Sequence, residues 1–387
     1  MNEISVITNR TYANSKDYLP LLHALGEHLC KAYGGGFPRK YKYTNEPIDK
    51  IYAPKLPLYI RKLIVEPFCK LLKKPLYHGY ITNVKLLDRL FARKIKKDKS
   101  SIVIVTPLLI RTIRKCKKAG KLIVVVAENS EPIRELERVS GDYKRFGIKK
   151  KYVYGDSKWQ KRVRQGFDMA DKIISISEVS MNTFISAGFK MENLKLIPKN
   201  GTDLKPQIVD KKTLPKALIT TAFHSFIKGT QRLLLAWDKA NIDSVPLIVV
   251  GRLCDDMEEF VKKYGPFHNV IFEGHRTDLS TWYLNWNAMG ILLSLSEGGS
   301  KVIAEMMTFG YPMLVSPDAT CDLVKDGVNG YIVDPLDDKA LENKLLSIVN
   351  DWEKIESMRD NCYKTAGGKT MRDWVNEVAE YAVSLIK

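Results

Sequence analysis

The amino-acid sequence predicts an α/β protein with two doubly wound domains, each a parallel β-sheet covered by helices. Three observations support this fold class. The 387 residues correspond to two or three domains at about 150 residues per domain. Short apolar runs rich in Val and Ile alternate with longer amphipathic stretches, which is the rhythm of repeated βαβ units. A polar joint at 198–216, with three prolines and one glycine, divides these runs into two sets.

Eleven apolar runs are predicted to be buried parallel strands, because they largely lack alternation between apolar and polar positions. Five runs precede the joint, at 4–8, 102–106, 122–127, 172–177 and 194–198. Six runs follow it, at 217–222, 246–251, 269–272, 291–296, 312–316 and 330–334. Ligands of such sheets bind at the carboxyl ends of the strands, so we expect the site in the cleft between the domains.

Two segments of the first half interrupt this rhythm. Residues 56–75 interleave Leu, Ile, Val and Phe with five Lys and Arg residues. This pattern fits a basic amphipathic helix at a membrane surface, or a helix whose apolar side packs on its own domain. Residues 92–100 are almost continuously charged and are typical of a solvated helix end.

The net charge of +18 is unevenly distributed along the chain. Residues 1–200 contain 41 Lys and Arg against 18 Asp and Glu, whereas residues 201–387 contain 21 against 26. This asymmetry indicates an anionic partner of the first half, such as lipid headgroups, an acidic polymer or nucleic acid. The alternative is a solvated lysine-rich surface without a partner.

Several classes of protein are excluded by what the sequence lacks. The six cysteines are far apart without a C-x-x-C pair, which argues against a disulfide framework and a zinc site. Neither a G-x-x-x-x-G-K-[ST] nor a G-x-G-x-x-G loop occurs, which argues against kinase, ATPase and nicotinamide-dependent activities. No D-x-D triplet occurs, so we expect no metal and no cofactor. The N-terminus lacks a secretory signal and no apolar window approaches the roughly 18 residues of a bilayer span, so we expect a cytoplasmic protein.

The densest functional signal lies in residues 291–316. A strand that ends at Ser296, two glycines and a helix capped by Ser300 would together form an anion site. Free amides of Gly298, Gly299 and Ser300 would bind a nucleotide diphosphate there.

Two carboxylates flank this turn. Glu297 stands in it and Glu305 lies eight positions later in the helix. Carboxylates accept hydrogen bonds and repel phosphate, so we expect them to bind the hydroxyl groups of sugars and riboses. The alternative is a capping Glu followed by a solvated helical Glu.

Glu297, seven intervening residues and Glu305, followed by the turn at 309–312, resemble the E-x7-E motif of the retaining nucleotide-sugar glycosyltransferases with GT-B architecture. The similarity covers most of residues 170–345. It implies two Rossmann-like domains facing across a cleft, with residues 1–200 binding the acceptor and 201–369 binding the nucleotide-sugar donor. It also implies that the periodic C-terminal helix, 370–387, crosses back onto the first domain.

The resemblance also implies roles for individual residues. Glu305 would bind the ribose of the donor, Glu297 the transferred sugar, and Lys228 the leaving diphosphate. Phe223 stands where the family usually has an arginine, so His224 or Arg252 is expected to supply a second cation.

Two further departures from the family lie in the first half. Glu128 stands where the family often has a histidine, and would contact the donor sugar or the acceptor, or serve as a solvated cap. The first turn, at 9–18, lacks the glycines that many relatives have there.

The function implied is that of a retaining, metal-independent hexosyltransferase acting on a saccharide or lipid-linked saccharide acceptor. Such an enzyme would make cell-surface polysaccharide or glycolipid, peripherally attached to an anionic membrane surface at its inner face. No nucleic-acid partner is expected. The alternatives are a sugar-nucleotide epimerase of the same architecture, and an inactive glycosyltransferase-like module that binds membrane or nucleic acid.

Overall fold

The computed structural model describes residues 3–10, 18–35, 50–150 and 152–386. These residues form two separate sheets in which every paired strand is parallel, so the predicted α/β fold class is confirmed. In the described residues the first sheet has seven strands in the order β3-β2-β1-β4-β5-β6-β7. Its strands are β1 (Ile4–Ile7), β2 (Leu29–Tyr33), β3 (Ile51–Tyr52), β4 (Ile102–Val105), β5 (Leu122–Ala127), β6 (Lys172–Ser175) and β7 (Leu194–Leu196).

The second sheet has the strand order β10-β9-β8-β11-β12-β13. Its strands are β8 (Lys216–Thr221), β9 (Leu247–Val250), β10 (Val270–Gly274), β11 (Asn287–Leu292), β12 (Met313–Val315) and β13 (Gly330–Ile332). This is a doubly wound order: from β8 the strands are added on one side up to β10, and from β11 they are added on the other side. A ligand is therefore expected at the carboxyl ends of β8 and β11.

Helices cover both faces of each sheet. Those that accompany the first sheet are α1 (Tyr18–Leu25), α2 (Leu56–Ile60), α3 (Glu66–Leu71), α4 (Tyr77–Lys94), α5 (Ile110–Lys118), α6 (Pro132–Phe146), α7 (Ser157–Asp168) and α8 (Glu178–Ser186). Those that follow are α9 (Thr230–Ala240), α10 (Asp255–Tyr264), α11 (Leu279–Tyr283), α12 (Lys301–Met307), α13 (Asp338–Asn350), α14 (Trp352–Ser357), α15 (Arg359–Ala366) and α16 (Met371–Ser384). A π-helical turn, Arg61–Val65, joins α2 to α3.

The strand prediction differs from the structure in three places. β2 and β3 were not predicted, because the polar Lys31 interrupts the first and the second is only two residues long. The strand predicted at 291–296 is wrong in its bounds, since β11 spans Asn287–Leu292. Its first residues, NAMG, lack the β-branched side chains that mark strands, although all are buried. Beyond Leu292 the chain leaves the sheet.

The C-terminal helix packs on the first sheet, as predicted. Met371, Trp374 and Val378 of α16 are buried in one core with residues of α1 and of the first sheet. The Trp374 indole donates a hydrogen bond to the Ile197 carbonyl at 3.1 Å. Thr370 and Asp373 form a capping box that fixes the start of α16 where the chain crosses back.

Helix α6 joins the two halves of the molecule. In sequence it connects β5 to α7, yet Val139, Tyr143 and Phe146 are buried in the core of the second half. The Tyr143 ring stacks on Phe226 with a centroid distance of 4.5 Å. Along α6 the two halves therefore share one apolar core.

A buried ion pair accompanies this apolar interface. Asp142 of α6 accepts hydrogen bonds from the Arg232 guanidinium and from the Gln231 amide of α9. The side chains of Asp142 and Arg232 are 1% and 7% exposed. Arg232 also pairs with the half-exposed Asp338 at 3.2 Å, but Asp142 is the partner that is removed from water together with it.

No helix among the described residues is long and apolar enough to span a bilayer.

Candidate active site

Lys228 is positioned by a short helical turn after β8. Phe226 and Ile227 are buried, and they anchor the turn Phe226–Lys228. Gly229 ends it with a φ of 70°, and a Cβ at this position would lie 1.9 Å from the Leu293 carbonyl oxygen. Only glycine accommodates both the left-handed backbone and this close approach. The Leu295 N–H also donates to the Ile227 carbonyl at 2.7 Å, so the turn is held against the segment that leaves β11.

Lys228 and Glu297 form an ion pair at this point. The Lys228 ammonium lies 2.5 Å from Glu297 Oε2, which also accepts a hydrogen bond from the Ser294 hydroxyl at 3.0 Å. The Glu297 side chain is 8% exposed and that of Lys228 is 26% exposed. One carboxylate and one cation, 69 positions apart in sequence, thus converge where β8 and β11 end.

The turn after Glu297 lies against the first half of the molecule. The Ser130 hydroxyl donates to the Glu297 carbonyl at 3.2 Å. A Cβ on Gly298 would lie 2.1 Å from the Glu128 carbonyl oxygen, and one on Gly299 would lie 2.9 Å from that of Lys199. The two glycines therefore permit the backbones of the two halves to meet at the predicted site.

Ser300 differs from the expectation in its contacts. It precedes α12 as predicted, but its side chain forms no capping hydrogen bond. Its N–H donates to the Cys321 thiol at 3.0 Å. The Cys321 thiol thus accepts the hydrogen bond that holds this turn in place.

Glu128 lies at the end of β5 and faces the cleft. Its carboxylate forms an ion pair with Arg10, which follows β1 and which the sequence analysis did not single out. Both residues line a cavity of about 150 Å³ that also includes Tyr80, Tyr154 and Glu135. Residues 11–17 of the predicted glycine-free turn lie outside the described residues.

Glu135 is a second residue that the sequence analysis missed. It lies on α6, is 2% exposed, and accepts hydrogen bonds from the Gln160 amide at 2.6 Å and the Ser296 hydroxyl at 3.0 Å. Burial raises the pKa of this carboxyl to about 7. The two hydrogen bonds oppose the shift, as does Lys228, whereas the nearby Glu297 charge adds to it. A helical pattern would have found Glu135, because it shares the buried face of α6 with Val139 and Asp142.

The two cations suggested in place of the missing arginine have different environments. His224 is fully buried, with its ring nitrogens 2.8 Å from the Thr230 hydroxyl and 3.0 Å from the Val250 carbonyl. Burial lowers the pKa of His224 to about 4, so the ring is neutral at neutral pH and does not supply the expected charge. Arg252 is exposed at the end of β9 and lines cavities on both sides of it.

Two cavities open around Arg252. One of about 530 Å³ lies between the halves of the molecule and includes Tyr77, Tyr152 and Phe223. The other, of about 480 Å³, lies at the carboxyl ends of β8 and β9 and includes Thr221, His275 and Arg276. Both are large enough for part of a nucleotide or sugar ligand.

Glu305 is half-buried on α12. Burial raises the pKa of Tyr283, and the Glu305 charge adds to this shift, so the two side chains interact. The Tyr283 hydroxyl donates to Thr221 Oγ1 at 2.8 Å. Glu305 is therefore near Tyr283, whose hydroxyl reaches Thr221 in the wall of the cavity at the end of β8.

No group of three or more His, Cys, Asp or Glu side chains suited to a metal ion occurs within the described ranges. The groups that converge in the cleft are cations and carboxylates from both halves: Arg10, Glu128, Glu135, Lys228, Arg252 and Glu297. Such an arrangement is able to neutralise a phosphate and to accept hydrogen bonds from hydroxyl groups.

Comparison with known protein families gives a match in the second half of the chain. Residues 203–365 match the family model described as glycosyl transferases group 1. No curated protein matches the chain in sequence.

Solved structures match the whole fold. A sucrose-phosphate synthase from Thermosynechococcus elongatus aligns over 100% of this chain and 99% of its own, with a TM-score of 0.69 and 15% identity. The lipopolysaccharide outer core galactosyltransferase WaaB, in its apo form, aligns over 99% and 100%, with a TM-score of 0.62 and 15% identity. HepE from Anabaena, solved in complex with UDP-glucose, aligns over 99% and 100%, with a TM-score of 0.61 and 16% identity. The two-sheet architecture of this chain is therefore the GT-B fold.

Proposed function

We propose, from the membership of this chain in the glycosyl transferases group 1 family, that it is a retaining hexosyltransferase that uses a nucleotide-sugar donor. The observation that carries this proposal is the contact of Lys228 with Glu297 at the carboxyl ends of β8 and β11. A cation beside a hydroxyl-binding carboxylate suits a sugar that is linked to a diphosphate. The complex of the structurally similar HepE with UDP-glucose supports a donor of this class.

The donor is proposed to bind along the second half of the molecule. Its nucleobase would occupy the cavity lined by Thr221, Arg252 and Arg276, and Glu305 would bind the ribose hydroxyls. The amides of Gly298, Gly299 and Ser300 would receive the phosphates, with Ser300 releasing the Cys321 thiol when it does so. Glu297 would hold the hydroxyl groups of the transferred sugar.

Lys228 would stabilise the diphosphate as it leaves. Negative charge develops on the leaving oxygen, and a cation already in position lowers the energy of that transition state. This role needs no metal ion. Retention would follow from attack of the acceptor on the face from which the diphosphate departs, with the leaving phosphate taking the proton of the acceptor hydroxyl.

The acceptor is proposed to bind in the first half, next to Arg10 and Glu128. The cavity there continues towards Tyr77, Tyr80 and Tyr152, whose rings and hydroxyls suit a saccharide. The acceptor would be a saccharide or a lipid-linked saccharide used for cell-surface polysaccharide or glycolipid.

We further propose that the protein is cytoplasmic and attaches peripherally to an anionic membrane through the segment 56–72, here called the apolar segment. Leu63 and Leu71 are 72% and 78% exposed, and Ile64 and Phe68 are also exposed. The segment contacts α4 of its own domain, but these large apolar side chains are exposed, which supports the surface alternative. Exposed Lys62, Lys70, Lys73 and Lys74 lie within or next to this segment, and lysines beside apolar side chains favour an anionic bilayer.

Incubation with a panel of nucleotide sugars, with nucleotide diphosphate release as the signal, tests the activity. Lys228→Ala is expected to lose about 2–4 kcal/mol of transition-state stabilisation, or about 30-fold to 1000-fold in turnover. Glu305→Ala should mainly weaken nucleotide binding, whereas Glu297→Gln should mainly lower turnover. The exposed Lys339→Ala and Glu353→Ala are matched controls that should retain activity.

The same assay separates the alternatives. Wild-type turnover in Lys228→Ala would contradict the proposed role of the lysine. Interconversion of two nucleotide sugars without diphosphate release would instead identify an epimerase. Nucleotide-sugar binding by none of the panel would favour the inactive module.

A further inference from the structure

A strongly basic groove lies on the outer face of the first half, between the last two turns of α4 and the length of α5. It has a volume of about 730 Å³. Its lining consists of one alanine and seven cationic residues: Arg89, Ala92, Arg93, Lys96, Arg111, Arg114, Lys115 and Lys118. No carboxylate of the described residues lines it. We call it the basic groove.

The seven cations have no ion pair with any residue in the described part of the chain. The nearest carboxylates in sequence point inwards instead. Asp88 accepts hydrogen bonds from Thr112 and Arg162, and Asp98 accepts them from Ser5 and Tyr33. The charge of the basic groove is therefore uncompensated by carboxylates among residues 3–10, 18–35, 50–150 and 152–386.

Such a groove costs stability unless an anion occupies it. Arg89 and Arg93, Arg111 and Lys115 are like charges four positions apart on one helix face, which repel each other. Helix α5 contains no acidic residue that would relieve this repulsion. Four of the seven residues are arginines, whose planar guanidinium groups bind phosphate oxygens in pairs.

The location of the basic groove indicates the kind of anion. The apolar segment packs against the first turns of α4. The contact is close, since a Cβ on Gly79 would lie 3.1 Å from the Glu66 side chain. The groove begins at Arg89 on the same helix, and Arg93 is about 21 Å along the axis from Gly79 at 1.5 Å per residue. Helices α4 and α5 cover the same face of the first sheet. An acidic polymer in solution would bind the cations but not the exposed Leu and Phe side chains beside them. An anionic bilayer would bind both, the cations at its headgroups and the apolar side chains at its acyl chains.

We propose that the basic groove binds the phosphate headgroups of anionic phospholipids and is the electrostatic half of a membrane surface whose other half is the apolar segment. This inference rests on the membrane attachment proposed above and extends it to a defined site. The apolar segment enters the acyl boundary, and the groove draws headgroup phosphates to the adjacent interface.

Cosedimentation of the full chain with lipid vesicles tests the proposal. The vesicles are phosphatidylcholine alone, or phosphatidylcholine with about one third phosphatidylglycerol, which supplies the anionic phosphate. Arg93→Glu/Arg114→Glu reverses two groove charges, and Lys339→Glu/Lys354→Glu makes the same charge change at exposed positions of the second half. Arg93→Gln/Arg114→Gln removes the charge without reversing it, and serves if the first variant does not fold.

The groove variant should partition onto phosphatidylglycerol vesicles at least about 25-fold less than wild type at low salt, since each cation contributes about a fivefold factor. The control variant should bind as wild type does. Binding of the wild type should weaken at about 0.5 M salt, and Leu63→Ser/Leu71→Ser should lose what remains.

Equal binding by the groove and control variants would overturn the proposal while leaving attachment through the apolar segment intact. Groove-dependent binding to a soluble polygalacturonate, without binding to vesicles, would also overturn it in favour of an acidic polysaccharide. Absence of any vesicle binding would overturn both the groove proposal and the membrane attachment. Diphosphate release from nucleotide sugars is measured without vesicles, so the proposed activity is tested separately.

Discussion

Glu135→Gln should change how the stability of the protein depends on pH. The Glu135 carboxyl is buried in the cleft, where its two oxygens accept hydrogen bonds from Gln160 and Ser296. The charged groups that face it are Glu297, which favours the protonated form, and Lys228, which opposes it. Burial is the largest of these effects and raises the pKa to about 7.

The magnitude follows from proton linkage. The ordinary pKa of 4.5 applies in the unfolded chain, so between about pH 4.5 and 7 the native state holds a proton that the unfolded state has lost. The stabilisation is complete below pH 4.5 and is lost as the pH rises through 7. A difference of about 2.5 units corresponds to about 3 kcal/mol. The amide of Glu135→Gln does not ionise, so the variant avoids this loss.

Urea unfolding at pH 5 and pH 8, followed by tryptophan fluorescence, measures the effect. Relative to wild type, Glu135→Gln should gain about 2–3 kcal/mol between the two pH values, because pH 5 already lies above the ordinary pKa of 4.5. Glu137→Gln is the control, because Glu137 lies exposed on the same helix and should follow the wild-type pH dependence. The reasoning is refuted if Glu135→Gln and Glu137→Gln respond to pH alike.

Three further substitutions test how the fold supports the cleft, each by urea unfolding. Asp142→Ala should cost about 3–5 kcal/mol, because it removes the buried carboxylate from the Arg232 guanidinium and leaves it paired with the half-exposed Asp338; a cost no greater than that of the exposed Asp168→Ala would contradict this. Gly229→Ala should cost at least about 1–3 kcal/mol from its φ of 70° and its clash with the Leu293 carbonyl, and should lower turnover by displacing Lys228. Trp374→Ala should cost about 3–5 kcal/mol by emptying the contact of α16 with the first sheet, far more than the exposed Arg372→Ala.

The sequence predicted the parts of the fold that depend on local pattern. The apolar runs at 102–106, 122–127 and 172–177 became central strands because a buried parallel strand needs no polar alternation. β2 was not predicted because Lys31 interrupts its apolar run. The predicted bounds of β11 lay too far along the chain, because NAMG has little β propensity of its own. Burial between neighbouring strands decides such cases, and burial depends on the whole sheet.

The sequence singles out candidate site residues where spacing along the chain carries the chemistry. Glu297 and Glu305 are predicted from their separation, and Lys228 from its order relative to them, and their roles stay predictions. Arg10 and Glu135 were not found, since their partners Glu128 and Ser296 lie 118 and 161 positions away. His224 was expected as a cation because nothing local reveals that it is fully buried between Thr230 and Val250.

The charge asymmetry of the chain has two different physical origins. Part of the excess in the first half meets acids of the second half, since Arg134 and Arg138 pair with the buried Asp318 and Arg145 pairs with Asp338. These ion pairs lie at the junction of the two halves and join them beside the cleft. The cations of the basic groove have no such partner in the described chain and face outwards. A count along the sequence sums both groups. The net charge of the first half therefore does not by itself distinguish cations that join the two halves from cations that are available to an external anion.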